Sequence, residues 1–355
     1  MEIRRLPLPD ACGTPESAAF EELIGVLNGI AVGLWGNDDF VETAEEALAS
    51  LSAQEYIEKI VLVAIEEGAI VGRVLAEFPL DEQAETASLL VDVAPALRGR
   101  GIGSALLGAG EELAADGGRR VVHVYTEHPV ASLPAEGPWV HAPVGATGLP
   151  RADPSVRFAL RHGYRLGQIE RSSELTLPLP AAREAALAST ASTVQGYRVV
   201  SWFGAAPAEL VDGFAALKAR MSIDAPQAAL AVDREEWTAA RVRAQEAELA
   251  RRDEPLLVTA AQHLATGELA AYTELAVPAD GEKAEQYDTL VARDHRGHRL
   301  GTLVKLHNLH ELQRRSPRVR RVLTWNADEN DPMLAINRAF GFRPHALTGS
   351  WQKEL

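Results

Sequence analysis

Two stretches of this chain, 198 residues apart (Arg98 to Arg296), each lead a β-rich run through an arginine- and glycine-containing loop into an apolar helix. The first runs Val91-Asp92-Val93-Ala94-Pro95-Ala96-Leu97-Arg98-Gly99-Arg100-Gly101-Ile102-Gly103-Ser104. The second runs Val291-Ala292-Arg293-Asp294-His295-Arg296-Gly297-His298-Arg299-Leu300-Gly301-Thr302. Backbone N–H groups at such a helix start point at one spot, and with the positive end of the helix dipole they form an anion cradle. Glycines keep Cβ atoms away, so a pyrophosphate can approach the main chain. A P-loop is excluded, because no Gly-Lys-Ser/Thr follows. A dinucleotide fingerprint is excluded because the third glycine is missing: Ser104 or Leu106 stands in its slot.

The repeat extends beyond the loops. In the first half, helical periodicity covers 17–30 and 41–51, and β-rich runs flank Glu67-Gly68 at 60–66 and 69–78. A strand at 87–93, a helix at 103–115, a strand at 121–126, a Pro/Gly-rich loop over 129–154, a helix at 155–162 and a strand at 169–177 follow. The second half repeats the order: a strand at 197–202, helices near 207–220 and 234–251, strands at 256–261, 268–277 and 287–291, a helix at 300–314, a strand at 319–325, a helix at 332–339 and a strand near 345–351. An Ala/Ser/Thr-rich stretch from Ala181 to Thr193 reads as the linker. Two tandem domains are expected, 1–190 and 191–355.

With these motifs in place, the chain resembles the GNAT superfamily of N-acetyltransferases. Arg98, Gly101 and Gly103 match that family's Arg/Gln-x-x-Gly-x-Gly/Ala acyl-CoA signature. Phe158–Tyr164 resembles its later helix and Gly-aromatic pair. In the second half Arg296 and Gly301 match, while Arg299 stands in a glycine slot. Asn326, Asn330 and Met333–Phe342 resemble the Asn-containing later element, here fuller than in the first half. The tandem order is similar to mycothiol synthase and other actinobacterial two-domain acetyltransferases. The resemblance implies, for each half, an α/β (α+β) domain with a mixed, mostly antiparallel sheet flanked by helices. It implies acetyl-CoA as the acyl donor and direct attack by a primary amine in a ternary complex. The cofactor contacts it implies are Val91, Val93, Arg98, Gly99, Arg100, Gly101, Ile102, Gly103 and Ser104 in the first half. In the second they are Val291, Arg296, Gly297, His298, Arg299, Leu300, Gly301, Thr302, Asn326 and Asn330.

The family's tyrosine acid for the leaving thiolate is missing: its positions hold Ala159 and Asn337. Asn337 can donate a hydrogen bond there. Candidate general bases are Glu274 and Asp288, with Glu77 and Asp92 at matching places in the first half. Transfer is expected in the second half. His307, His310 and Glu311 share a helix face but match no zinc-helix motif, and no metal is expected.

Net charge is -15, of which residues 1–190 carry -14 (14 Lys+Arg against 28 Asp+Glu). That repels a phosphate polymer and attracts a cationic amine, so a small-molecule amine is the expected partner and nucleic acid is not. The single cysteine, Cys12, excludes an internal disulfide. With no uncharged apolar run approaching about 18 residues and no signal-like start, a cytoplasmic monomer or homodimer without membrane contact is expected. Two other readings stay open: a protein lysine acetyltransferase of the same fold, and a non-catalytic CoA-binding protein.

Overall fold

A computed structural model describes residues 1–224, 226, 228–279 and 281–355. They form two compact units that interleave along the chain. The first contains residues 1–169, 228–233 and 347–355, and the second 170–227 and 234–346. The expected boundary near residue 190 lies inside the second unit, and β8 and β14 each contribute residues to both units.

The first unit opens with β1 (Glu2–Arg5), α1 (Ala18–Trp35) and α2 (Ala44–Ser52). Strands β2 (Ile57–Glu66), β3 (Ala69–Pro79) and β4 (Thr86–Val93) precede α3 (Ile102–Asp116) and β5 (Val121–Pro129). A small hairpin, β6 (Trp139–His141) and β7 (Gly148–Pro150), lies within the expected loop and leads to α4 (Pro154–Arg161) and the start of β8 (Arg165–Thr176). Strands β1 to β4 pair antiparallel in order, and β5 joins β4 in parallel. Glu67 and Gly68 both take positive φ, which turns β2 tightly into β3. Thr43 and Glu46 close a capping box on α2, and Asp153 caps α4 ahead of Pro154. The sheet is covered on both faces. Leu106 and Leu107 of α3 pack with Val74, Leu89 and Val122 of the sheet, and Phe20 and Leu23 of α1 pack with Val61 and Val63.

The second unit begins with residues 170–176 of β8 and continues through α5 (Ala181–Ala191), β9 (Tyr197–Phe203), α6 (Val211–Lys218), α7 (Met221–Asp224) and α8 (Ala239–Arg251). Strands β10 (Leu256–His263), β11 (Leu269–Ala276) and β12 (Lys283–Val291) follow, then α9 (Leu300–Arg315), β13 (Arg321–Ala327), α10 (Asp331–Phe340) and only the start of β14 (Arg343–Glu354), up to residue 346. Strands β9 to β12 pair antiparallel in order, β13 joins β12 in parallel, and 170–176 pair antiparallel with β13. Both units therefore have the expected mixed, mostly antiparallel sheet flanked by helices.

Two local readings differ. The stretch expected as a linker is helix α5, because its alanines favour helix and Leu187 and Ala191 bury with α9 residues. Helix α1 runs on to Trp35, and with the preceding turn it is long and apolar enough to cross a membrane by length and composition alone. Its N-terminal part buries Phe20, Leu23 and Ile24 in the first unit's core.

The tail 347–355 completes the first unit. Trp351 is fully buried and donates from Nε1 to Thr126 Oγ1 at 2.9 Å, and Lys353 pairs with Glu111 at 2.8 Å. Residues 1–190 expressed alone should therefore lack a dispersed amide NMR spectrum and a cooperative melt. Trp351→Ala in the full chain should lose about 3–5 kcal/mol. A well-folded 1–190 fragment would show that the tail is dispensable.

Candidate active site

Among the described residues each unit has a parallel strand pair, and in each the pairing stops partway. Strand β4 bonds β5 only from Thr86–Leu89 to Val121–Val124, and β12 bonds β13 only from Lys283–Gln286 to Arg321–Thr324. Beyond those residues the arms follow their outer neighbours: Leu90–Val93 pair with β3, and Trp325–Ala327 pair with β8. A wedge opens between them, and its arms keep unspent backbone donors and acceptors.

The anion cradle stands at the end of β4 in the first unit and of β12 in the second. Gly99 and Gly101 have φ of 79° and 90°, and Gly101 caps α3 in the left-handed region. The second loop follows the same path: Gly297 has φ 82°, and Arg299 caps α9 at φ 60°, ψ 21°. Replacement of the glycine by Arg299 leaves the turn intact, and its side chain swings out to Thr193 Oγ1 at 3.2 Å. Arg98 and Arg296 turn back to donate to Val93 O and Val291 O at 3.0 and 3.2 Å, bracing each loop on its strand. A Cβ on Gly301 would meet Ile336 Cδ1 at 2.8 Å, so the glycine lets that side chain lie against α9. The first turns of α3 and α9, including Ile102, Gly103, Ser104, Leu300 and Thr302, leave orphan N–H groups facing outward along the helix axis. Backbone N–H groups left open in both loops are the donors a pyrophosphate would need.

The two carboxylates expected as bases converge. Between Thr273 and Leu275 the β11–β12 register slips, so Tyr287 and Asp288 together oppose Glu274. Glu274 Oε1 accepts from Lys218 Nζ at 2.7 Å, and Asp288 Oδ2 accepts from Lys218 Nζ at 3.3 Å and from Tyr272 OH at 3.1 Å. Lys218 also faces the Trp237 ring at 4.5 Å. The side chains of Lys218 and Glu274 are 1% exposed and that of Asp288 is 33%. Burial pulls Lys218 down, but the two carboxylates win and hold it above the usual lysine range. Burial pushes Glu274 up to about 7, against the pull of Lys218. Glu274 is therefore the buried partner of a lysine, and Asp288 is the carboxylate with access to solvent.

Asn337 sits at the centre of a second buried group. Lys305 Nζ on α9 donates to Asn337 Oδ1 at 2.7 Å, and Asn337 Nδ2 donates to Asn326 Oδ1 at 2.5 Å. Lys305 and Asn337 are buried, and Asn326 lies on the free arm of β13. Burial alone lowers Lys305 to about 7. Asn330 is set apart from this chain: it caps α10 through Met333 N.

The first unit is chemically different. Leu107 and Ala159, the counterparts of Lys305 and Asn337, belong to its apolar core. Asp92 pairs with Arg73 at 3.0 Å, Arg100 pairs with Glu66, and Ser104 bonds His162 Nε2 at 3.0 Å. Glu127, on the free arm of β5, has an exposed edge yet is crowded enough that burial, then the charge of Asp92, pushes it up to about 6. Glu77 lies on β3 opposite Ser88. His307 and His310 do not form a ligand set: His310 pairs with Glu184, and Glu311 with Arg314 and Arg315. Lys218, Lys305 and Glu127 were missed from sequence. The available signal was Lys218 and Lys305 lying in otherwise apolar helix stripes beside Phe214 and Gly301.

Residues 31–133 match the acetyltransferase (GNAT) family. No curated protein matches the chain in sequence. Among solved structures the chain is similar to a tandem GNAT protein from the clavulanic acid biosynthesis pathway, solved without AcCoA, at 26% identity, with 99% of this chain and 98% of that one covered and a TM-score of 0.74. A GCN5-related N-acetyltransferase from Sphaerobacter thermophilus shares the fold at 18% identity, 98% and 97% coverage and a TM-score of 0.63. A GCN5-related glucosamine N-acetyltransferase region of a fungal multi-domain β-N-acetylglucosaminidase shares it at 15% identity, 98% and 38% coverage and a TM-score of 0.61.

Lys218→Met should leave Glu274 and Asp288 facing each other without a cation, at a loss of about 3–5 kcal/mol near neutral pH. Glu274 already sits above its ordinary 4.5, so its contribution to stability is full below that pH and lost as pH rises through about 7. Without Lys218 that loss deepens, and acidification should restore much of the deficit. Denaturant midpoints across this range check it; a deficit independent of pH would rule out carboxylate repulsion.

Proposed function

We propose that this chain, which belongs to the GNAT acetyltransferase family in its tandem two-domain form, transfers an acetyl group from acetyl-CoA to the primary amine of a small molecule, and that the second unit carries the reaction. The observation that supports this most is the meeting, in one unit, of an anion cradle, a parted strand pair and a carboxylate cluster at the β11–β12 bulge. Acetyl-CoA, when bound, supplies an activated thioester. Gly297–Thr302 hold its pyrophosphate through backbone N–H groups, and the free arms of β12 and β13 bind its extended amide-containing arm. Asp288, the accessible carboxylate, takes the amine proton. Glu274 and Lys218 act through Asp288: the lysine holds the aspartate in place, and Glu274 balances the lysine's charge. The acidic first half, residues 1–190, favours a cationic acceptor over a nucleic acid.

Glu127 beside the parted strands of the first unit favours a second reading, with transfer there. Thiol release from acetyl-CoA over a panel of small amines and lysine peptides tests for transfer and its acceptor class, and single variants separate the two units. Asp288→Asn should lower kcat about 100- to 10,000-fold while the fold is kept, and Gly301→Glu should abolish acetyl-CoA binding by the second unit in calorimetry. Normal turnover in Asp288→Asn with loss in Glu127→Gln would move the chemistry to the first unit. Absence of thiol release with every amine and peptide would leave a non-catalytic CoA-binding protein.

A further inference from the structure

The second unit holds a buried lysine that no carboxylate neutralises. Lys305 meets Asn337 Oδ1 and, at 5.5 Å, the centroid of the Phe342 ring. Among the described residues Lys305 makes no ion pair, and its ammonium meets only the amide oxygen and the ring face. Lys305 donates to the amide oxygen of Asn337, as its protonated form must. That fixes the orientation of both amides beyond it. Asn337 must turn Oδ1 to Lys305, so its NH2 donates to Asn326 Oδ1, and the NH2 of Asn326 is the one left over. Three polar groups thus form a chain with one direction, anchored on a cation and ending in an N–H donor on the free arm of β13.

We propose that Lys305, acting through Asn337 and Asn326, is a positioning residue that stabilises the thiolate leaving from acetyl-CoA in the second unit, in place of a direct acid. The inference rests on the acetyl-CoA reading above. In the step it serves, the amine nitrogen forms a bond to the acetyl carbon, the C–S bond breaks, and its electron pair stays on sulfur; the amine proton goes to Asp288. Negative charge on sulfur then meets the terminal N–H of Asn326, whose polarity each hydrogen bond back to Lys305 strengthens. In the first unit the same places hold Leu107 and Ala159, so no such chain exists there.

The test needs no acceptor amine. Free CoA is titrated by its ultraviolet thiolate absorbance while bound to Gly101→Glu protein, in which the first cradle is blocked. The bound thiol should be about 10- to 1,000-fold more acidic than free CoA, as for an ionisable group near an opposite charge. Lys305→Met should remove the effect while CoA still binds. Asn337→Asp should remove it too, because its carboxylate neutralises Lys305 and cannot donate to Asn326; it provides the answer if Lys305→Met fails to fold. Bound CoA whose thiol titrates as in free solution, or equally in both variants and their parent, overturns the inference and leaves the acetyl-CoA reading standing. No CoA binding by the Gly101→Glu protein overturns the reading itself, and the inference with it. In turnover, the Lys305→Met deficit should shrink with an aryl thioester, whose thiolate leaves unaided. A purely structural role would give the same deficit with both donors.

Discussion

Both units are organised around a parallel strand pair that separates partway along its length. A buried backbone donor or acceptor without a partner is costly, so a wedge in a sheet persists only where something else meets those groups. An extended chain carrying amides is the natural complement, and it must enter lengthwise. The rest of each unit follows from that. Helix α3 or α9 lies behind the wedge with its positive end at the open side, the glycine loop leaves that end bare, and α4 or α10 comes up beside the free arm of β5 or β13. The chemistry is confined to the few side chains that border the gap.

What was legible in the sequence was local. The turn at Glu67-Gly68, the caps at Thr43 and Asp153, and the two glycine loops depend on neighbours within a few positions. Each declared itself by residue type and spacing. Element order followed, and with it the fold class. The carboxylates Glu274 and Asp288 stand out in the sequence as acidic residues of central strands, and both bond Lys218, which lies 56 residues before Glu274 and leaves no signal in the spacing. The linker reading of 181–193 failed because small residues suit a helix as well as a loop, and only burial of Leu187 and Ala191 decides between them. The exchange of the final strands leaves no local trace at all, since 347–355 would suit either sheet by pattern.

Arg299 shows how a motif can lose a residue and keep its geometry. The turn needs a left-handed residue ahead of α9, and glycine reaches that region freely while arginine does so at about 1–2 kcal/mol. The loop keeps the shape, with Gly297 before it and Gly301 after it still supplying the close approach. The chain has put the strain where the backbone is braced, by Arg296 on Val291 O. Sequence matching at that position reads as a defect, whereas the dihedral angles of the two loops read as the same anion site built twice.

The two units also offer an internal control on what the fold requires. Leu107 and Ala159 fill the space between the loop helix and the following helix with apolar atoms, and the first unit packs well with them. Lys305 and Asn337 at the equivalent places must be desolvated, and a buried ammonium with one amide partner is less stable than an aliphatic side chain of similar volume. Packing therefore does not account for the polar pair. The same holds for Lys218 and Glu274, whose mutual attraction offsets their desolvation without surpassing a hydrophobic replacement by much. Of the two buried lysines, Lys218 is tied to Asp288 on the free arm of β12 and Lys305, through Asn337, to Asn326 on the free arm of β13, so carboxylate and amide polarity belong to different arms. A reaction that takes a proton from an incoming nitrogen and leaves electrons on a departing sulfur needs that separation of polarity.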